Sequence, residues 1–114
     1  MGYTDLVHLD GSIERLVDNN EDAEVDPWEI TNGAAGYNAV SRHVVYAGGV
    51  SKHDGKPLDT RTLEQKKALA DYVRNFHSRF PQIRIVGHNE LNSKKACPSF
   101  DVQKWLRSLG IRQA

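Results

Sequence analysis

Gly87-His88-Asn89-Glu90-Leu91-Asn92-Ser93-Lys94-Lys95-Ala96-Cys97-Pro98-Ser99-Phe100-Asp101-Val102 is the stretch on which the reading of this chain turns. The only cysteine stands nine positions after a histidine, and a lysine stands two positions before that cysteine. Just upstream, Ile83-Arg84-Ile85-Val86 has the β-branched composition of a short strand, so His88 is expected just past a strand end. Pro98 closes the loop. Residues 100–109 are expected to form a helix that buries Val102, Trp105, Leu106 and Leu109, with Gly110 as its C-terminal signal. An imidazole at a strand end and a thiolate ahead of a helix can converge on one zinc ion. An ammonium beside them would stabilise negative charge developing on a substrate oxygen. The plainer alternative is a buried cysteine and an ordinary loop histidine, since free cysteine usually packs as a small apolar residue.

Working outward, the pattern predicts a mixed α/β domain. Residues 6–9 and 12–16 flank Asp10-Gly11, a hairpin signal because glycine accepts the positive φ of such a turn. Residues 18–26 are acidic and poor in apolar side chains, and read as a solvated loop whose spacing fits no calcium motif. Pro27-Trp28 starts a short helical turn capped by Asp26. Residues 42–47 contain Val44-Val45-Tyr46 and are expected to form the central strand, ended by Gly48-Gly49. Thr62 and Gln65 have capping-box spacing, so a helix is predicted over 63–79. Leu69, Tyr72, Val73, Phe76 and Phe80 would form its buried stripe, and Pro81 would stop it.

Composition narrows the function classes. The 114 residues suit one domain, here taken as 1–114, and 39% apolar with 26% charged residues is ordinary for a globular chain. Fifteen basic and fifteen acidic residues leave no net charge to attract nucleic acid or an anionic membrane. A single cysteine forbids an intrachain disulfide. No signal peptide or membrane-spanning stretch is read, so the expectation is a protein that is cytoplasmic as made.

The Gly-His, Lys and Cys-Pro-x-Phe-Asp-Val blocks resemble the zinc-dependent N-acetylmuramoyl-L-alanine amidases, a family that also holds phage-lysozyme-type amidases and peptidoglycan recognition proteins. Further blocks match in order: Gly2-Tyr3 through Ile13, Gly33-Ala34-Ala35-Gly36-Tyr37-Asn38, residues 41–49, and Asp54-Gly55-Lys56-Pro57 with Asp59-Thr60-Arg61-Thr62. The resemblance implies a central mixed β-sheet flanked by helices. It implies that His88 and Cys97 ligate zinc, that Lys95 assists catalysis and that Tyr3 orients water or substrate. Cys97 would then be a ligand and not a nucleophile.

Two departures bear on activity. The family's first zinc histidine lies on a strand upstream of the Gly-Tyr block, and this chain begins almost at that block, so the domain is expected to be truncated at its N-terminal side. The family also often has histidine where Ala35 stands. A catalytic zinc normally takes three protein ligands. His43, at the start of the expected central strand, is the candidate third ligand, although strand alternation leaves its direction open. His8 reads as a strand-surface residue; His53 and His77 read as solvated.

The resemblance thus implies a peptidoglycan amidase of endolysin or prophage type. It would cut between N-acetylmuramic acid and L-alanine with a zinc-bound water, and act on the cell wall if delivered there. The alternatives are a non-catalytic muropeptide-binding module or an inactive truncated amidase. A sheet without its usual neighbour strand would leave an open edge, which invites a homodimer or strand addition from another chain.

Overall fold

The computed structural model describes residues 3–19, 21–22, 24–34, 36–38 and 41–113, so Gly2 and Ala35 lie outside the described residues. The element order is β1 (Asp5–Val7), β2 (Ile13–Arg15), a 3-10 turn (Pro27–Glu29), β3 (Val44–Tyr46), α1 (Leu63–Arg79), α2 (His88–Leu91) and α3 (Val102–Ser108). The strands form one mixed sheet in the order β2-β1-β3. β1 and β2 are antiparallel, with Leu6 opposite Glu14, and β1 and β3 are parallel, with Leu6 opposite Val45. The expected α/β class holds, but two expected strands change. β3 was expected at the centre of the sheet, and β1 takes that place. Residues 84–87 run without turn or bend yet form no strand, because no neighbouring strand lies beside them among the described residues.

The hairpin closes where Asp10-Gly11 predicts. Gly11 has φ +86°, and a Cβ there would stand 2.9 Å from the Glu64 carbonyl oxygen, so both the turn and the α1 start require glycine. His8 pairs with Glu14 at 2.9 Å on the exposed face of the hairpin. The acidic loop is pinned from three sides. Arg15 donates to Glu21 Oε1 at 3.1 Å, Arg79 donates to the Glu21 carbonyl at 2.7 Å, and Arg42 donates to the Asp22 and Glu24 carbonyls. In the 3-10 turn the buried Glu29 carboxylate accepts from the Asp26 N–H at 2.7 Å.

α1 begins with the predicted reciprocal cap: Thr62 Oγ1 accepts from the Gln65 N–H at 3.0 Å, and Gln65 Oε1 accepts from the Thr62 N–H at 2.9 Å. Gln65 does more than cap. It is fully buried, and its Nε2 donates to the carbonyls of Ala47 at 2.9 Å and Val7 at 3.3 Å, so the helix start is stitched to both parallel strands. Thr62→Ala should cost about 1 kcal/mol. Urea denaturation checks it, and a loss under half that value would mean the cap is not holding the helix.

Two apolar clusters meet along α1. Val7, Tyr46 and Leu69 join the sheet to the helix, and Val73, Val102, Leu106 and Ile111 join the helix to α3. Of the expected stripe, Leu69 and Val73 are buried, while Tyr72, Phe76 and Phe80 are half-buried because they border a cavity or the helix end. His77, read as solvated, is half-buried, and its Nδ1 has no partner among the described residues. α3 starts at Val102, two residues later than expected, because the Asp101 carboxylate caps it by accepting from the Lys104 N–H at 3.0 Å.

Candidate active site

The cysteine loop is held against the end of β3. Tyr46 Oη donates to the Pro98 carbonyl at 2.7 Å, and Ser99 Oγ donates to the Gly49 carbonyl at 2.9 Å. Behind the loop, Arg61 lies 3.5 Å from the centroid of the Phe100 ring, with its guanidinium paired to Asp59 at 2.9 Å. This pair holds the Asp59 carboxyl below its ordinary value of 3.8. A depressed carboxyl stabilises the fold above its unfolded pKa, and that contribution is lost as pH falls through the folded value. Acid unfolding should therefore flatten below pH ~4 in Asp59→Asn, and an unchanged acid limb would exclude the pair as a contributor.

The Gly-His motif has a steric reason. Gly87 is buried, and a Cβ there would stand 2.9 Å from Val102 Cγ2 and 3.1 Å from Pro98 Cδ. Only glycine lets the chain pass between α3 and the cysteine loop. The Gly87 N–H donates to Glu90 Oε2 at 2.5 Å, and the Asn89 N–H donates to the Cys97 carbonyl at 2.9 Å. His88 was expected just past a strand. It instead opens the single turn of α2, and that turn is fastened to the backbone of Cys97.

A cavity of about 310 Å³ collects the predicted residues. Tyr3, His43, His88 and Cys97 all line it, and its floor is Tyr72, Val73 and Phe76 of α1. Lys95 does not line it; that side chain is exposed on the loop two residues before Cys97. His43 turns toward the cavity, the direction that alternation left open. Its Nδ1 lies 2.5 Å from Oγ1 of the fully buried Thr31, and its Nε2 is buried without a partner among the described residues. Burial first, and then repulsion from His88, push the His43 imidazole below its ordinary 6.5, so it favours the neutral, electron-donating form. Burial pushes the Cys97 thiol above its ordinary value.

These facts bear on the chemistry available. A nucleophilic cysteine needs a lowered pKa and a base in hydrogen-bond reach. Cys97 has a raised one, and no bond joins its sulfur to His88 among the described residues. A metal reverses the preference, because coordination takes the thiol as thiolate. The donor set, one thiol and two imidazoles, suits zinc in kind, and the orphaned His43 Nε2 is the third donor the chain itself offers. Its spacing does not complete a zinc site: among the described residues no three such side chains close on one position.

The fold has close counterparts. The amidase LysC from Clostridium intestinale URNW superposes with TM-score 0.71 at 18% identity, over 97% of this chain and 66% of that one. The Ph2119 endolysin from Thermus scotoductus MAT2119 bacteriophage Ph2119 superposes with TM-score 0.67 at 24% identity, over 98% of this chain and 65% of that one. In sequence, an endolysin of Enterobacteria phage K11 is 30% identical over 108 residues, 95% of this chain. The chain shares the fold of LysC and the Ph2119 endolysin and is similar in sequence to the K11 endolysin. It spans 65% of the length of the K11 endolysin. No family model matches the sequence. Among the described residues no helix is long and apolar enough to cross a membrane.

Sequence reasoning missed Thr31, which fixes the His43 ring through a contact twelve residues away in sequence. It also missed Asp5, buried beneath the sheet. Neither belongs to a motif; their positions emerge only from the packed fold.

Proposed function

We propose that this chain is a peptidoglycan amidase that hydrolyses the amide between N-acetylmuramic acid and the L-alanine of the stem peptide. The observation that carries the reading is the shared cavity: Tyr3, His43, His88 and Cys97, drawn from four separate segments, line one space in a chain related to an endolysin. Zinc is the proposed cofactor, which His88 and Cys97 would hold, with His43 as the candidate third ligand. When bound, zinc supplies a water whose pKa is lowered to about 7.

The chain's own groups account for the rest. Thr31 fixes one nitrogen of His43 and leaves the other directed into the cavity. Tyr3, 37% exposed on the cavity wall, offers a hydroxyl to orient the attacking water or the scissile carbonyl. Lys95, exposed on the cysteine loop, is the cation we assign to the developing oxyanion when substrate bridges loop and cavity. The test is chromatography of muropeptides after incubation with the protein and zinc. The expected product is a stem peptide with a free L-alanine amine. Release of reducing sugar ends without that amine would replace the amidase reading with a glycosidase one.

One observation favours a second reading. Because no three donors close on one position among the described residues, the cavity also suits a module that holds muropeptide without cutting it. Saturable muropeptide binding with no product at any zinc concentration would select that reading.

A further inference from the structure

A second, smaller cavity adjoins the first. It holds about 200 Å³ and lies between the end of β3 and the cysteine loop. Val44, Cys97 and Pro98 line both spaces, so the two meet along that loop. Val50, Pro57 and Ala96 add further apolar carbon to the wall of the smaller one. Val50 and Pro57 are bridged across a short hairpin. The Ser51 N–H closes it by donating to the Lys56 carbonyl at 2.8 Å, and the Gly55 N–H donates to the Ser51 carbonyl at 3.0 Å. The result is a small apolar slot, set beside Cys97 and walled by two loops.

Both of those loops carry lysines. Lys52 and Lys56 stand on the hairpin and Lys94 and Lys95 on the cysteine loop, all exposed. The acids close to the hairpin in sequence are already engaged. Asp54 accepts from the Lys56 N–H at 3.0 Å, and Asp59 pairs with Arg61 at 2.9 Å. Elsewhere the arginines take the acids: Arg15 pairs with Asp5 and Glu21, and Arg42 pairs with Asp22 and Glu29. Among the described residues no carboxylate pairs with Lys52, Lys56 or Lys94. A chain of zero net charge thus carries uncompensated ammonium groups on the two loops around an apolar slot.

We propose that this slot receives the stem peptide just beyond the scissile amide, and that Lys52, Lys56 and Lys94 select a stem whose second residue keeps a free carboxylate. The inference rests on the amidase reading and assigns one side of the bond to one space. Volume decides the first part. An extended residue fills ~160 Å³ at ~4.8 Å between strands, ~10 Å between layers and ~3.3 Å rise, so the slot holds about one. L-alanine suits it, because a methyl group is at home among valine, proline and alanine carbons. Charge decides the second part. The one carboxyl of N-acetylmuramic acid is consumed in the amide, so the glycan side is uncharged and has no use for the lysines. On the stem side D-glutamate follows L-alanine and is joined onward through its γ-carboxyl. Its α-carboxylate is free in some walls and amidated in others. That group stands ~3.5 Å further along the chain than the residue in the slot, on the way to the flanking loops.

The test is calorimetric titration of the full chain with L-alanyl-γ-D-glutamyl-L-lysyl-D-alanine, and with the same peptide amidated at the glutamate α-carboxyl. Neither contains the bond to muramic acid, so binding is read apart from cleavage. The parent chain should bind the free acid about fivefold more tightly, the scale of one well-placed exposed ion pair. That preference should vanish at about 1 M salt, where the screening length falls to about 3 Å. Lys52→Gln with Lys56→Gln should abolish it, and Lys52→Glu with Lys56→Glu should reverse it. The proposal is overturned if the parent binds neither peptide, if it binds both equally, or if the charge-reversed variant keeps the preference for the acid. Discrimination without cleavage of muropeptide would leave the stem site standing in a binding module, whereas cleavage without discrimination would remove the stem site and leave the amidase.

Discussion

Cys97→Ser and His88→Ala should each remove the zinc content of the purified protein and reduce muropeptide cleavage by more than about a hundredfold, the scale that loss of even a supporting group outside the ligand set reaches. Both side chains line the cavity, and α2 is fastened to the cysteine loop through the Asn89 to Cys97 backbone bond. The His88 and Cys97 segments therefore stand as one unit, and neither can be replaced by a neighbour. His43→Ala should weaken zinc retention as well, because its Nε2 is the remaining imidazole nitrogen buried in that space without a partner among the described residues. Lys95→Ala is the contrasting case. It should leave zinc content intact and lower turnover by about a hundredfold, as loss of one charge-stabilising donor does. Zinc by atomic absorption and cleavage by chromatography, run on the four variants beside the parent chain, separate the roles. Cleavage that survives both ligand substitutions would falsify the zinc-amidase reading outright.

Local signals in the sequence carry much of the fold. Thr62 and Gln65 announce α1 because a capping box is a contact between neighbours in the chain, and its bounds agree with the structure at both ends. Asp10-Gly11 announces the hairpin for the same reason. Residues 83–86 illustrate the limit. Their composition suits a strand, but a strand exists only by pairing, and here the pairing groups of Ile85 are taken by the side chains of Gln103 and Gln113. The place of β3 at the sheet edge is likewise invisible in a run of Val-Val-Tyr, which reads the same at the centre or the side.

The candidate site divides in the same way. His88 and Cys97 are legible because glycine, proline and histidine stand at fixed spacing, and the structure supplies the reason: Gly87 must let the chain pass Pro98 and Val102. His43 is only half legible. Its position just ahead of a strand is local information, whereas the direction of its ring depends on Thr31, a residue brought in by the loop ahead of β3. Gln65 shows one residue on both sides of the divide: its cap is visible in the sequence, and its two bonds into the sheet are not.

Asp5→Ala should destabilise the fold by about 3 kcal/mol, the low end of the cost of breaking a buried charge pair. Asp5 is 1% exposed in the central strand, where alternation alone would not place a carboxylate. Its two oxygens have separate partners: Arg15 Nε donates to Oδ1 at 2.7 Å, and Tyr72 Oη donates to Oδ2 at 2.7 Å. Removing the carboxylate orphans both donors and leaves space under the sheet. The Arg15 side chain is 36% exposed and can turn to water, which keeps the cost near 3 and below the 5 kcal/mol of a fully buried pair. Tyr72 has less freedom. Burial and the Asp5 carboxylate raise its hydroxyl far above the ordinary value of 10.0, so the phenol stays a donor at any working pH. Tyr72 also lines the cavity. Urea denaturation of Asp5→Ala, Tyr72→Phe and the double variant gives the test. The double variant should cost clearly less than the sum of the singles, because each single change removes the same bond. Strict additivity, or a cost for Asp5→Ala below about 1 kcal/mol, would mean that this carboxylate is solvated in the native protein and does not tie the sheet to α1.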